Sequence, residues 1–300
     1  MKTLDGGRVQ LDEEEVQRLV AEQFPQWRDL PVAPVAVPGW DNQTFRLGDS
    51  MSVRLPSGAR YAAQVRKEQH WLPRLAPRLP LPIPTPIALG APAHGFPWEW
   101  SVYGWLPGEP AARHRIANLE LFATDVAQFL RALQGIDAAE GPGPGPHNFF
   151  RGGPLAVYDD ETRRAIQLLG PRIDGPAALR VWERALSTPH ASAPVWVHGD
   201  VAANNLLVQD GRLSAVLDFG SSAVGDPACD LVLHWTFLQG GARDRFREIV
   251  AAADDVWARA RGWALWKALI TLVGGGAAPA AEHPPQEVVE TVLSIPAMKE

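Results

Sequence analysis

The sequence predicts an α+β protein in two unlike parts: a small antiparallel sheet with one internal helix over residues 1–106, and a larger, mainly helical part over 107–300. Three observations predict it. Short strand-like runs crowd the first third. Apolar stripes at helical spacing fill most of the rest. Between those stripes one compact strand–loop–strand region, residues 195–226, carries its polar residues in the loops.

In chain order, Val16, Leu19, Val20, Phe24 and Trp27 recur at helical spacing, and Asp12 is placed to cap a helix over 12–27. Residues 32–37, 44–47 and 51–55 read as strands, and 62–75 as a helix ending in a proline-rich stretch over 77–86. Residues 99–106 form an apolar and aromatic run of buried-strand type, broken by Pro107-Gly108. Beyond it, Leu119, Phe122, Val126, Phe129, Leu130 and Leu133 make the stripe of a helix. The alternating Gly/Pro run at 141–146 can be neither helix nor inner strand. Further helices are expected at 160–169, 176–187, 228–238, 242–261, 263–273 and 285–294. No internal repeat is evident.

Composition narrows the class. An apolar fraction of 46% with 21% charged residues is that of an ordinary globular protein with a core to bury. A net charge of −6 argues against a general affinity for nucleic acid, which needs a basic footprint, and is compatible with a cationic small-molecule partner. Cys229 is the single cysteine, so no intrachain disulfide can form, which fits a cytoplasmic location. Neither an apolar leader nor a run of about 18 apolar residues is present, so neither a signal peptide nor a membrane span is expected.

The chemistry concentrates in residues 195–226. An apolar strand leads into His198-Gly199-Asp200, a second leads out after Asn205, and Asp210-Gly211 turns the chain into a hairpin whose return strand delivers Asp218-Phe219-Gly220. Phosphoryl transfer needs this kind of set: a carboxylate for the attacking hydroxyl's proton, and hard oxygen ligands for Mg²⁺. Asp200 suits the first role; Asn205 and Asp218 suit the second. His198 fits a structural role in the loop better than a catalytic one.

The order His-Gly-Asp, an Asn five residues after the Asp, then Asp-Phe-Gly after a hairpin resembles the active-site signature of protein-kinase-like folds. Glycine at 199, together with Gly225-Asp226-Pro227-Ala228-Cys229-Asp230-Leu231, is similar to the aminoglycoside phosphotransferase family. The resemblance runs roughly from the strands near Val32 to the helix near Leu272. It implies a bilobal kinase-like fold, with ATP or GTP as co-substrate and Mg²⁺ as metal. It further implies that Arg54, in Val53-Arg54-Leu55-Pro56, holds the α/β-phosphates where protein kinases use Lys, with Glu68 as its partner. The loop 38–44 stands where phosphates are covered but lacks Gly-x-Gly-x-x-Gly. Residues 100–106 resemble the hinge, with purine contacts near Gly104 and Leu106 and Tyr103 as gatekeeper, a bulky ring that in this family goes with GTP use. Asp226 is expected to brace the catalytic loop, and Cys229 to be a core thiol. The acidic run Asp159-Asp160-Glu161 is expected to open a helix, with a substrate clamp as the lesser alternative. The acceptor is expected in the second part, with 141–161 at its edge. An aminoglycoside is the leading candidate; a macrolide, sugar or amino alcohol is the alternative, and a nucleotide-binding pseudokinase belongs to another class.

Overall fold

The computed structural model describes residues 2–3, 8–36, 39–275 and 281–294. Val37, the end of the first predicted strand, and Pro38, the start of the predicted phosphate-covering loop, lie outside the described residues. The chain divides into two compact units: one is the chain to Arg78 with Pro82–Pro107 and Asp218–Gly220, and the other is Leu79–Leu81, Gly108–Leu217 and the chain from Ser221 onward.

In the first unit, strands β1 (Lys2–Thr3) and β2 (Val9–Gln10) pair ahead of helix α1 (Glu13–Gln23). Asp12 caps α1 reciprocally with Glu15: its carboxylate accepts from the Glu15 N–H at 2.8 Å, and Glu15 accepts from the Asp12 N–H at 3.0 Å. The helix stops short of Trp27 because Pro25 disfavours helical geometry at Phe24, and a 3₁₀ turn covers Pro25–Trp27. A five-stranded sheet follows, in the order β3 (Val32–Pro34), β4 (Asn42–Leu47), β5 (Met51–Pro56), β7 (Trp100–Gly104), β6 (Pro86–Gly90), with every neighbouring pair antiparallel. Strand β6 was not expected after the proline-rich stretch; it lies at the sheet edge, where Pro86 is tolerated.

Strand periodicity sorts the two faces. Phe45, Leu47, Met51, Val53, Leu55, Trp100 and Val102 join Val16, Leu19 and Val20 of α1 in one core. Paired residues of an antiparallel ladder share a face, so the pairs Arg54↔Ser101 and Ser52↔Tyr103 put a guanidinium and a phenol on the opposite side. Helix α2 (Ala59–Leu75) serves that side: Gln69 donates to the Ser101 hydroxyl at 2.9 Å and to the Ala88 carbonyl at 3.0 Å.

The second unit holds helices α3 (Leu119–Gln134), α4 (Asp159–Leu169), α5 (Gly175–Leu186), α6 (Leu233–Thr236), α7 (Gly241–Val250), α8 (Asp254–Val273) and α9 (Pro285–Ser294). Two small sheets accompany them: β11 (Arg212–Val216), β10 (Leu206–Gln209) and β8 (Glu109–Pro110), and separately β12 (Ala223–Gly225) with β9 (Val195–Val197). The β10–β11 hairpin turns at Asp210 (φ +51°) and Gly211 (φ +79°), the positive pair that a tight right-twisting hairpin requires. The predicted break between helices at 262 is absent. Helix α8 runs through Gly262, where a Cβ would stand 2.6 Å from the Ala185 Cβ; this glycine lets α8 pack closely on α5. The interruption falls at Ala251–Ala253 instead, where Ala251 takes the left-handed conformation (φ +50°). Residues 228–238 are mostly a 3₁₀ turn, Pro227–Val232, running into the single-turn α6. No described helix is long and apolar enough to cross a membrane.

His234 gives this unit a pH signature. Its ring is buried between Trp235 and Trp257, with centroids at 4.7 and 5.1 Å, and among the described residues its Nδ1 has no partner. Burial first, then Arg243 and Arg247, push its pKa from 6.5 down to about 3. The unfolded chain therefore binds a proton that the folded one refuses. This contribution is fully present above pH 6.5 and is lost as pH falls toward 3, at up to about 1.4 kcal/mol per pH unit. In urea unfolding, His234→Phe should lose markedly less stability than the parent between about pH 7 and pH 4.5. Equal losses would remove His234 as the cause.

Candidate active site

The loop between β9 and β10 is clamped from behind by a carboxylate the sequence reading did not assign. Asp230, fully buried, accepts from the backbone N–H of His198 and of Gly199, both at 2.7 Å. Burial pushes its carboxyl above the ordinary range, while His198 and the two N–H donors pull the other way. The signal was available: an Asp among Cys229, Leu231, Val232 and Leu233 must have a partner if it is buried. Gly199 has φ +86°, and a Cβ there would lie 2.3 Å from the Ser221 carbonyl oxygen, so this backbone approach requires glycine where protein kinases carry arginine.

His198 is buried and holds the loop through both ring nitrogens. Nε2 donates to the Leu217 carbonyl at 2.8 Å, and Nδ1 accepts from the Asp200 N–H at 3.2 Å, which together define a neutral tautomer. Asp200 itself is part-exposed. The Asn205 amide Nδ2 donates to the Asp200 carbonyl at 3.0 Å and to its carboxylate at 3.2 Å. Asn205 thereby orients Asp200, and its amide oxygen accepts from the Asn204 side-chain amide at 3.3 Å. Asp226 is a brace of another kind: its carboxylate takes Arg259 through Nε at 2.6 Å and Nη2 at 3.2 Å, with both side chains buried, and its N–H donates to the Gly152 carbonyl at 2.7 Å.

The first unit contains the other group. Arg54 donates to the Asp218 carboxylate at 2.8 Å and stands 3.5 Å from Glu68, whose second oxygen accepts from the Tyr103 hydroxyl. Burial alone would lower the Arg54 pKa, but Glu68 and Asp218 outweigh it and the net shift is upward, so the guanidinium is fixed as a cation. The pairing with Glu68 was expected; that with Asp218 was not. Asp218 sits in the left-handed region (φ +64°), an uncommon place for a non-glycine residue and one that marks functional turns. Lys67, to which the sequence analysis gives no role, donates to the Gly220 carbonyl at 2.6 Å and so ties α2 to the Asp-Phe-Gly turn. Tyr103 is buried. In the expected hinge, the Gly104 N–H donates to the Thr85 carbonyl at 3.1 Å and the Trp105 N–H to that of Ser50 at 2.8 Å. Leu106, part-buried, follows the end of β7. Asp218 thus belongs to the first unit and Asp200 and Asn205 to the second, joined in the chain by the β10–β11 hairpin.

Asp200 opens on a small concavity of the second unit whose wall includes Arg151, Lys267, Trp263, Trp266 and Cys229. Cys229 is a free, buried thiol whose pKa burial pushes well up, which removes it as a nucleophile. The acidic run at 159–161 opens α4. Asp159 accepts from Arg163 at 2.8 Å and from the Trp182 indole at 2.7 Å, and Glu161 accepts from the Trp266 indole at 2.7 Å, so both carboxylates have internal partners.

A five-stranded sheet whose basic strand residue meets a helix glutamate, with an Asp-Phe-Gly turn and a His-Gly-Asp loop on a helical unit, defines a protein-kinase-like α+β fold. Solved structures agree. An aminoglycoside 2′-phosphotransferase-IIIa in its GDP complex superposes with TM-score 0.69 at 16% identity, covering 95% of this chain and 99% of that one. The streptomycin–ATP ternary complex of APH(2″)-IIa gives 0.58 at 19% identity over 89% and 94%. The macrolide 2′-phosphotransferase MphH of Brachybacterium faecium gives 0.59 at 21% identity over 95% and 99%. The chain belongs to the phosphotransferase enzyme family, which it matches over residues 33–263. An aminoglycoside 3′-phosphotransferase of Escherichia coli is 36% identical over 69 residues, 22% of this chain and a quarter (25%) of that relative's length.

Proposed function

We propose that this chain is an O-phosphotransferase that moves the γ-phosphoryl group of ATP or GTP onto a hydroxyl of a small molecule of the antibiotic class. The observation that carries the reading is the Asp200 carboxylate, oriented by Asn205 in a loop whose backbone is clamped by buried Asp230. Asp200 accepts the proton of the acceptor hydroxyl. The hydroxyl oxygen forms the new bond to phosphorus as the bridging bond to the β-phosphate breaks, and a nucleoside diphosphate leaves. Arg54, held by Glu68, neutralises the α/β-phosphates, so positioning and charge neutralisation supply most of the acceleration.

The Asn205 amide oxygen and the Asp218 carboxylate are hard donors that suit Mg²⁺. Mg²⁺ prefers hard oxygen donors and usually completes its shell with substrate phosphates and water. When bound, Mg²⁺ neutralises charge on the β- and γ-phosphates.

The acceptor class draws on the relatives, whose names cover both aminoglycosides and macrolides. A coupled nucleotide-consumption screen against aminoglycosides, macrolides and small metabolites, run with both ATP and GTP, tests the reading. Acceptor-dependent consumption supports it; none above background with any acceptor counts against it.

Tyr103 bears on the nucleotide. With its hydroxyl tied to Glu68, its ring cannot swing aside, and a fixed ring closes the deeper register that adenine prefers at the hinge. We expect kcat/KM for GTP to equal or exceed that for ATP, and Tyr103→Ala to move the ratio toward ATP by about 5- to 150-fold, the value of one buried hydrogen bond. Strict ATP preference, unmoved by the substitution, would refute this.

A further inference from the structure

The charge beside Asp200 bears on the acceptor. Arg151 stacks over Trp266 at 4.5 Å and Trp263 at 5.4 Å, and among the described residues no carboxylate pairs with its guanidinium. Its Nε is buried without a hydrogen-bond partner. Lys267, on the same wall, is offset by buried Glu282 at 3.8 Å, which also accepts from the Ala203 N–H at 3.0 Å. Glu161, the nearby acid that could have served a cationic ligand, is held by the Trp266 indole. Among the described residues Arg151 is thus the basic group of this wall that no carboxylate pairs with directly.

The loop that presents Arg151 is built to hold it in place. Fully buried Asn148 donates to the Arg151 carbonyl at 2.8 Å and to the Ser221 carbonyl at 3.1 Å, and accepts from the Gly145 N–H at 2.9 Å. Phe149 and Phe150 both take positive φ, +54° and +55°, a conformation that costs energy in two consecutive aromatic residues and persists only where its surroundings impose it. The Asp226 N–H fixes the next residue, Gly152, through its carbonyl at 2.7 Å.

Resting on the phosphotransferase reading above, we infer that Arg151 determines acceptor specificity: it binds an oxyanion, carboxylate or phosphate, on a hydroxylated acceptor whose apolar face meets the indoles, and it disfavours polycations. An oxyanion would satisfy the unpartnered guanidinium, preferably through a paired, charge-assisted contact. An ammonium at the same point would meet a like charge, an arrangement that works against binding. The acidic overall charge would still draw cations toward the surface, but the contacts beside Asp200 select differently.

The test uses three p-nitrophenyl glycosides of one shape and different charge: the glucuronide, the glucoside and the 2-amino-2-deoxyglucoside. Acceptor-dependent nucleotide consumption is measured on the full chain for the parent, Arg151→Gln and Arg151→Lys. The expected parent preference is glucuronide over amino sugar by about 10- to 100-fold in kcat/KM, the range of one charged hydrogen bond. The preference should collapse in Arg151→Gln and be largely restored in Arg151→Lys. Ratios within one preparation cancel any loss of folded protein. An amino sugar used as well as the glucuronide, a ratio unmoved by Arg151→Gln, or no use of any of the three overturns the inference. Slow hydrolysis of nucleotide by water, present in the parent and abolished in Asp200→Ala, reports separately on the phosphotransferase reading, so the two can fail independently.

Discussion

Asp200→Ala is expected to lower kcat at least about 100-fold, the low end of what a general base contributes, while leaving nucleotide affinity nearly intact. The expectation follows from where the contacts lie. Arg54, Glu68, Tyr103 and Asp218 are linked by hydrogen bonds and ion pairs within the first unit, whereas Asp200 belongs to the second. Asp200 is instead the part-exposed carboxylate of a loop otherwise committed to internal hydrogen bonds: its N–H to His198 and its carbonyl to Asn205. Removing its carboxylate takes away one contact to Asn205 and the proton acceptor, and little of the scaffold. Calorimetric titration of nucleotide and steady-state kinetics on the same preparation separate the two effects. Near-parent turnover by Asp200→Ala on its best acceptor would show that the base lies elsewhere.

Asp230→Ala should act through stability. Its carboxylate serves two buried backbone N–H groups, and each left unpaired costs about 1–3 kcal/mol, hence about 2–6 kcal/mol together. That is a large fraction of the roughly 5–15 kcal/mol that keeps a domain folded. Thermal melting should shift down by about 4–20 °C, and the folded remainder should turn over slowly because the His198–Asp200 backbone loses its fixed position. Asp230→Asn keeps one acceptor oxygen and should fall between. A variant that melts within about a degree of the parent, with unchanged kcat, would mean that the two hydrogen bonds contribute little.

Much of this arrangement was legible from chain spacing alone. The order Asp200, Asn205, hairpin, Asp218 can be read without coordinates because Asp210-Gly211 dictates a tight turn, and a tight turn fixes which residues a hairpin delivers. Arg54, Glu68 and their pairing were expected through the family resemblance, and the structure pairs them at 3.5 Å. What escaped were long-range relations. Asp230 lies far along the chain from the amides it serves, and only the unlikelihood of a buried, unpaired carboxylate points to it. Glycine is a poor helix former, yet at Gly262 close packing against Ala185 overrides propensity and the helix continues. Strand β6 hid behind prolines that an edge strand can accommodate. The stacking of Arg151 on two tryptophans more than a hundred residues later left no local signal in the sequence.

The central claim is direct transfer of phosphate from nucleotide to acceptor. Following γ-labelled ATP and GTP with Mg²⁺ and an active acceptor tests it most directly. The account predicts label in the organic product in step with nucleotide consumed, none held covalently by the protein, and loss of the labelled product in Asp200→Ala. Label confined to inorganic phosphate for every acceptor, or trapped on the protein chain, would contradict it.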